Sequence, residues 1–397
     1  MDTLFTLDIK DYDPEWPHSK RPSSRAIIIL DNDGNQMDYS EGKIFNADDK
    51  IVLVHSTKYD YYKFPGGGIK DKEENQAALI REVQEEVGLT VIPQSIKEYG
   101  ITKRFQSTKL FANTTFEQDS FYYFCKVQSG ENNELSITSQ TLDPYEAEEG
   151  FELSLVTIKE AINANNHSLN EDYFMAVMIE RDTRVLQRLI NAPAIPSRTF
   201  AKFLMQRAVE MNPGPWEQHS ILVAECAEKI AVQILRNNGE LSEDGTIKEN
   251  SSINPEKAYL MGFLHDIGRR NGITGLKHVW DGYHYLKDMG YDDFAQICLT
   301  HSFQFPEFSL YIGEKDLEPA EIEELKALLK NTVYTDYDYL IQLLDAACNA
   351  DGTVDLVSRM NDVRRRYGNY PLLKWARNFE LKEMFEKKMG KSLYEVI

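Results

Sequence analysis

The sequence predicts two domains, the first mixed α/β and the second nearly all helical. Three observations carry this expectation. At 397 residues the chain is too long for one typical hydrophobic core. Short β-branched apolar runs separated by polar turns fill the first part, and apolar residues at helical spacing take over later. Between the two patterns lies NAPAIPSR at residues 191–198, where two prolines among small residues end a helix and suit a linker. The expected division is 1–185, a linker over 186–198, and 199–397.

In the first half RAIIILD (25–31), KIVLVHS (50–56) and SFYYFCKV (120–127) read as strands. The polar stretches DNDGNQMD and SGENNE between such runs hold Asp, Asn, Gly and Ser, which favour turns. One strong helix interrupts the strands. After Phe151 the pattern reads as helical, with apolar residues at helical spacing from Glu171 to Ile190. In the second half RNNGELSEDGTIKENSS reads as a surface loop and the acidic run Glu314 to Glu324 as a solvated helix face.

The formal charge of −20 argues against a protein that coats nucleic acid, because neutralising phosphates takes clustered Lys and Arg. A small anionic ligand stays compatible, since a bound metal reverses the local sign of a carboxylate-rich pocket. Cys125, Cys226, Cys298 and Cys348 form no CxxC pair and read as reduced, buried thiols. The N-terminal MDTLFTLDIKDYDPEW has no basic segment followed by an apolar one. No apolar run approaches the roughly 20 residues that span a bilayer. A cytoplasmic protein without a membrane partner is expected.

The helix in the first half belongs to GGIKDKEENQAALIREVQEEVGL, which starts at Gly67 and fits G-x5-E-x7-R-E-U-x-E-E-x-G-U, U being apolar. The matched positions are Gly67, Glu73, Arg81, Glu82, Val83, Glu85, Glu86, Gly88 and Leu89. A glycine loop feeds a helix that Gly88 stops. Glu82, Glu85 and Glu86 share one face at i, i+3 and i+4, while Leu79, Ile80, Val83 and Val87 form the adjacent apolar face. Carboxylates held so close repel one another, and a hard divalent cation such as Mg2+ or Mn2+ removes the penalty.

This motif resembles that of the Nudix hydrolases. The resemblance implies mixed sheets sandwiched by helices, and Mg2+-dependent cleavage of a phosphoanhydride in a nucleoside diphosphate linked to another group. It implies Glu82, Glu85 and Glu86 as catalytic metal ligands, the Gly66 carbonyl as a further ligand, and Glu73 with Arg81 as a structural ion pair. Substrate contacts lie outside the motif. Arg25, Arg104 and Lys103 are candidates for phosphate, and Tyr61, Tyr62 or Phe105 for stacking on a base. The cluster Tyr145, Glu146, Glu148 and Glu149 either adds a catalytic carboxylate or is a solvated loop.

Five of the eight histidines fall between His219 and His301. His219 lies at the end of the apolar stripe Val223, Cys226, Ala227, Ile230, Ile234, and His265 shares a helix face with Ala258 and Met261. Ile341, Leu344, Asp345 and Cys348 run i, i+3, i+4, i+7, which turns a carboxylate toward the core. A carboxylate there needs a cation or a partner.

The order H…HD…H…H…D on helices resembles the HD metal-dependent phosphohydrolases, and HDIG at residues 265–268 matches a common form of their motif. The resemblance implies an all-α bundle in which His219, His265, Asp266 and Asp345 hold a first metal. Asp266 would bridge to a second, held also by His278 and His301, with iron or manganese the usual metal of the dinuclear branch. A lysine usual after HDIG is Arg269 here, so Arg269 and Lys277 are the candidates for substrate phosphate. His284, His18, His55 and His167 show no metal pattern.

Together these readings describe a bifunctional nucleotide phosphohydrolase with a small-molecule substrate. The alternative is a sensor in which one site binds a nucleotide without turnover. Both families are compatible with a homodimer.

Overall fold

A computed structural model describes residues 1–108, 110–130, 134–168, 172–248 and 250–397. The chain divides into two units, Met1–Phe203 and Leu204–Ile397.

Unit one is built from strands β1 (Thr3–Asp8), β2 (His18–Lys20), β3 (Ser23–Ile27), β4 (Ile29–Leu30), β5 (Lys50–Ser56), β6 (Tyr61–Lys63) and β7 (Gly66–Gly68), then helix α1 (Asn75–Val87). There follow β8 (Lys97–Ser107), β9 (Thr115–Phe124), α2 (Pro144–Glu148), β10 (Phe151–Thr157), α3 (Ile158–Asn166) and α4 (Tyr173–Leu189). A six-stranded sheet runs β1-β8-β9-β3-β7, with β2 also paired to β9. It is mixed: β8 and β7 pair antiparallel to β9 and β3, whereas β1, β2 and β3 pair parallel to their neighbours β8, β9 and β9. A four-stranded antiparallel sheet holds β10, β5, β4 and β6.

The apolar run at residues 26–30 is buried throughout because it passes from one sheet to the other, pairing with β9 up to Ile27 and with β5 from Ile29. Helix α1 lays Leu79, Val83 and Val87 against Ala26, Ile28, Val52, Val54 and Tyr123. That places its carboxylate face beside the loop after β6.

Two expectations change. Residues 151–157 form a strand, not the start of the helical region, because FELSLVT pairs with β5 along its whole length. Eleven-residue β8 went unread, since its buried alternation falls on Gly100, Thr102, Arg104 and Gln106, residues whose polarity hides the period. Of the expected turn SGENNE, residues 131–133 lie outside those described, as does Glu171 of the expected helix.

Helix α5 (Arg198–Met211) is followed in unit two by α6 (Trp216–Asn237), α7 (Pro255–Leu264), α8 (Lys277–Asp288), α9 (Asp292–Thr300), α10 (Pro319–Asn331) and α11 (Asp336–Ala347). A two-residue hairpin, β11 (Cys348–Asn349) with β12 (Gly352–Thr353), precedes α12 (Leu356–Tyr367) and α13 (Leu372–Met389). The unit is thus largely helical, as expected. Helices α6 and α7 touch at backbone distance: a Cβ on Gly262 would lie 2.8 Å from the Ala224 Cα. Beyond this crossing the rings of His219 and His265 meet edge to face, 5.2 Å apart. All four cysteines are free and buried. Among the described residues no helix is long and apolar enough to cross a membrane.

Two candidate metal centres

In unit one the Gly66–Gly68 strand runs under the α1 carboxylates. A Cβ on Gly67 would lie 2.2 Å from Glu82 Oε2, so only glycine leaves room for that carboxylate over the loop. Arg81 is the hub beneath it. Its guanidinium grips Glu73 through Nε and Nη2 at 2.8 and 2.9 Å, and Nη1 reaches Glu82 at 2.5 Å and Glu85 at 2.9 Å. Bonding to Arg81 pulls the Glu73 carboxyl down to about 2. Burial pushes the Glu82 carboxyl up, against the pull of Arg81. Helix α1 stops at Gly88 in a left-handed conformation, as the motif requires.

Glu86 is buried and held differently. Its Oε1 accepts from Lys63 Nζ at 2.6 Å and its Oε2 from the Gly66 amide at 2.8 Å. Lys63 is itself buried, 4.0 Å from Glu146 and over the Phe151 ring. Of the residues around Tyr145, only Glu146 joins this group, its carboxyl raised by burial. Glu149 instead accepts from Tyr61, and Glu148 pairs with Lys58.

Arg25 donates to the carbonyls of Phe64 and Gly66 and so borders the loop. Arg104 has 1% of its surface exposed, and its guanidinium is engaged by Gln106 and by the Phe174 carbonyl instead of facing solvent. Tyr61 is fully buried and Tyr62 stacks on His55, while Phe105 meets His18 edge-on and Lys103 lies 4.0 Å from Asp119.

In unit two the sequence-predicted ligands converge in two groups. Ligand atoms of His219, His265 and Asp345 lie within 4.8 Å of one another, as do those of Asp266, His278 and His301. Asp266 therefore groups with the two later histidines, while its Oδ2 points toward His265 Nε2 at 3.9 Å. The ring of His265 is anchored through Nδ1 on the Gly262 carbonyl at 2.7 Å, that of His301 on Ile297 at 3.2 Å, and that of His278 on Gly275. A carbonyl only accepts, so in each ring Nδ1 carries a proton, which leaves Nε2 of the neutral ring to present a lone pair.

Those lone pairs face one another. His278 Nε2 and His301 Nε2 are 3.3 Å apart, and Asp266 Oδ1 is 3.4 and 3.6 Å from them. His265 Nε2 and Asp266 Oδ1 are buried without any hydrogen-bond partner. Burial lowers the His265 ring to about 4 and the His278 ring to about 3, so both are neutral ligands near pH 7. Buried polar atoms of this kind are costly unless something binds them, and a divalent cation fits every donor present.

Two cavities open onto these ligands. One, of about 200 Å³, is lined by Arg269, His278, His301, Asp345, Arg359 and Lys374 among others. The other, of about 390 Å³, has Trp216, His219, Asp266, Arg269, Asp345 and Arg359 in its wall. Arg269, whose Nε bonds Asp266 at 2.6 Å, lines both, but Lys277 lines neither and instead pairs with Asp281 at 2.6 Å. Sequence reading missed Lys63, Arg359 and Lys374. Lys374 was findable, since it stands on the buried α13 stripe with Asn378, Leu381, Phe385 and Met389.

A NUDIX domain model matches residues 43–177, and an HD domain model matches residues 216–349. Both are domains of hydrolase families. Among solved structures, similarity is found to the E. coli ORF135 protein at 17% identity, covering 37% of this chain and 80% of that one, TM-score 0.21. A MutT structure from a study of the Aliivibrio salmonicida and Vibrio cholerae proteins matches at 16% identity over 44% of this chain and 98% of that chain, TM-score 0.22. A NUDIX hydrolase from Nitrosomonas europaea matches at 16% identity over 42% and 90%, TM-score 0.23. No curated protein matches the chain.

Proposed function

We propose that this chain, in which a NUDIX domain is fused to an HD domain, is a bifunctional nucleotide phosphohydrolase with one metal centre in each unit. What supports it most is the buried pair His265 Nε2 and Asp266 Oδ1, two atoms with no hydrogen-bond partner at the meeting point of six side chains of metal-ligating type.

In unit one Glu82, Glu85 and the Gly66 carbonyl would hold Mg2+ or Mn2+, with Glu86 contributing the lone pairs that Lys63 and Gly66 leave free. In unit two His219, His265 and Asp345 would hold one iron or manganese ion, and Asp266, His278 and His301 a second. Bound divalent ions supply a metal-activated water and neutralise charge on the phosphoryl oxygens. The protein's own part is positional. Arg81 keeps Glu82 and Glu85 in register, Lys63 neutralises Glu86, and Glu146 is a raised carboxyl able to take a proton beside it. Arg269 neutralises Asp266 and borders both cavities, where it can meet a phosphate. The unit-one substrate in this reading is a nucleoside diphosphate linked to another group, and unit two takes a phosphate ester or anhydride.

The test is a set of initial rates on nucleoside triphosphates, ADP-ribose, dinucleoside polyphosphates and mononucleotides, with Mg2+ and separately Mn2+. Metal-dependent hydrolysis of an anhydride together with iron or manganese in the purified protein is expected. No turnover on any of these, with no retained metal, overturns the reading.

A further inference from the structure

The smaller cavity of unit two contains more positive charge than its metal ligands require. Lys374 has 6% of its surface exposed, and its ammonium makes one hydrogen bond, to the Ser302 carbonyl at 3.1 Å. Among the described residues no carboxylate lies within ion-pair distance, so a nearly buried cation keeps donors to spare. Arg359 is half-buried and lines both cavities, and its guanidinium makes no hydrogen bond or ion pair among the described residues. Arg366 at the rim is already paired with Asp362, and Arg269 with Asp266. Asp345 is the one carboxylate in the described lining of this cavity, and it is a metal ligand in the function proposed above.

Burying an ammonium without a close counter-ion is costly, and Asp345, the one carboxylate of the described lining, attracts Lys374 only from beyond ion-pair distance. An anionic ligand would supply the rest of that charge. Metal ions at the six ligands would account for the reacting phosphoryl group. Lys374 and Arg359 stand outside that set, and outside the span 216–349 that the HD domain model matches.

We propose that Lys374 and Arg359 form a second phosphate site in the unit-two cavity, so that the substrate hydrolysed there carries a further phosphate besides the one that reacts. This rests on the reading of unit two as a hydrolase. An ammonium and a guanidinium suit a phosphate through charge-assisted hydrogen bonds. A nucleoside bisphosphate or diphosphate meets the requirement, and a nucleoside monophosphate does not.

The experiment uses the full chain carrying Glu82→Gln and Glu85→Gln, which silences unit one. The value of kcat/KM is measured for a nucleoside 5′-monophosphate, the 5′-diphosphate and the 3′,5′-bisphosphate, with and without Lys374→Met. Substrates with a second phosphate should be preferred, and Lys374→Met should lower their kcat/KM about tenfold to hundredfold while leaving the monophosphate unaffected. Lys374→Arg should restore most of the loss. Calorimetric titration of inorganic pyrophosphate into the chain in EDTA gives a readout without turnover, and Lys374→Met or Arg359→Met should weaken it by a similar factor. Arg359→Met provides the same comparison if Lys374→Met does not fold.

Equal loss on all three substrates, or unchanged pyrophosphate affinity in both variants, overturns the second phosphate site and leaves the hydrolase reading intact. Pyrophosphate binding through Lys374 with hydrolysis unaffected by His265→Ala plus Asp266→Ala does the opposite.

Discussion

Lys63 and Glu86 show how one side chain sets the cost of another. Side chains 6% and 2% exposed form an ion pair at 2.6 Å, and removing one partner strands the other. Lys63→Met should destabilise unit one by about 3–5 kcal/mol in urea unfolding, and adding Glu86→Leu should recover most of that loss. At Gly67 the effect is on chemistry. Alanine there puts a Cβ on Glu82 Oε2, and a displacement near 1 Å should lower metal-dependent anhydride hydrolysis on the order of a hundredfold with the fold retained by circular dichroism. Glu73 carries a pH signature: its carboxyl is held at about 2 against an ordinary 4.5. A depressed folded pKa gives stability that is present above 4.5 and lost as the pH falls through about 2. The stability difference between wild type and Glu73→Gln should therefore shrink across that window, as read by unfolding at a series of pH values. Glu73 and Arg81 were legible because the motif fixes their spacing. Lys63 was not, because three-residue β6 is too short for its alternation to show which way a lysine points.

Helices set both ligand groups, with His265, Asp266 and His301 placed just past the ends of α7 and α9. α1 was readable from its apolar face and its glycine stop, while α6, α7 and α11 were readable from apolar stripes that include His219, His265 and Asp345. What the sequence hid was closeness. Nothing in AYLMGFL announces that Gly262 lets α7 touch the α6 backbone, since that contact depends on a partner some forty residues away. Gly262→Ala should cost about 1–3 kcal/mol by overpacking and, by parting His219 from His265, reduce the metal retained on purification. Thermal unfolding with elemental analysis of the same sample checks both. Strand β8 and the strand at 151–157 stayed hidden for another reason. The strand at 151–157 alternates Phe151, Leu153 and Leu155 with Glu152 and Ser154 but is too short to stand out from the helices that follow, and β8 buries Gly100, Thr102, Arg104 and Gln106 in place of its apolar residues.

Across the whole molecule, the order of elements was legible: a mixed-sheet unit followed by a helical one, each containing a carboxylate-rich or histidine-rich centre. The cationic wall of the smaller cavity of unit two was not. It is assembled from Arg269, Arg359 and Lys374, whose positions in the chain have no common spacing. If the chain is two hydrolases, the two centres fail separately. The most direct measurement is the set of initial rates, over the nucleotide panel, of wild type, Glu82→Gln plus Glu85→Gln, and His265→Ala plus Asp266→Ala. The account predicts that the first variant loses Mg2+-dependent anhydride cleavage, the second loses a different activity along with its iron or manganese, and each keeps what the other loses. Rates unchanged in either variant, or lost together in both, would contradict it.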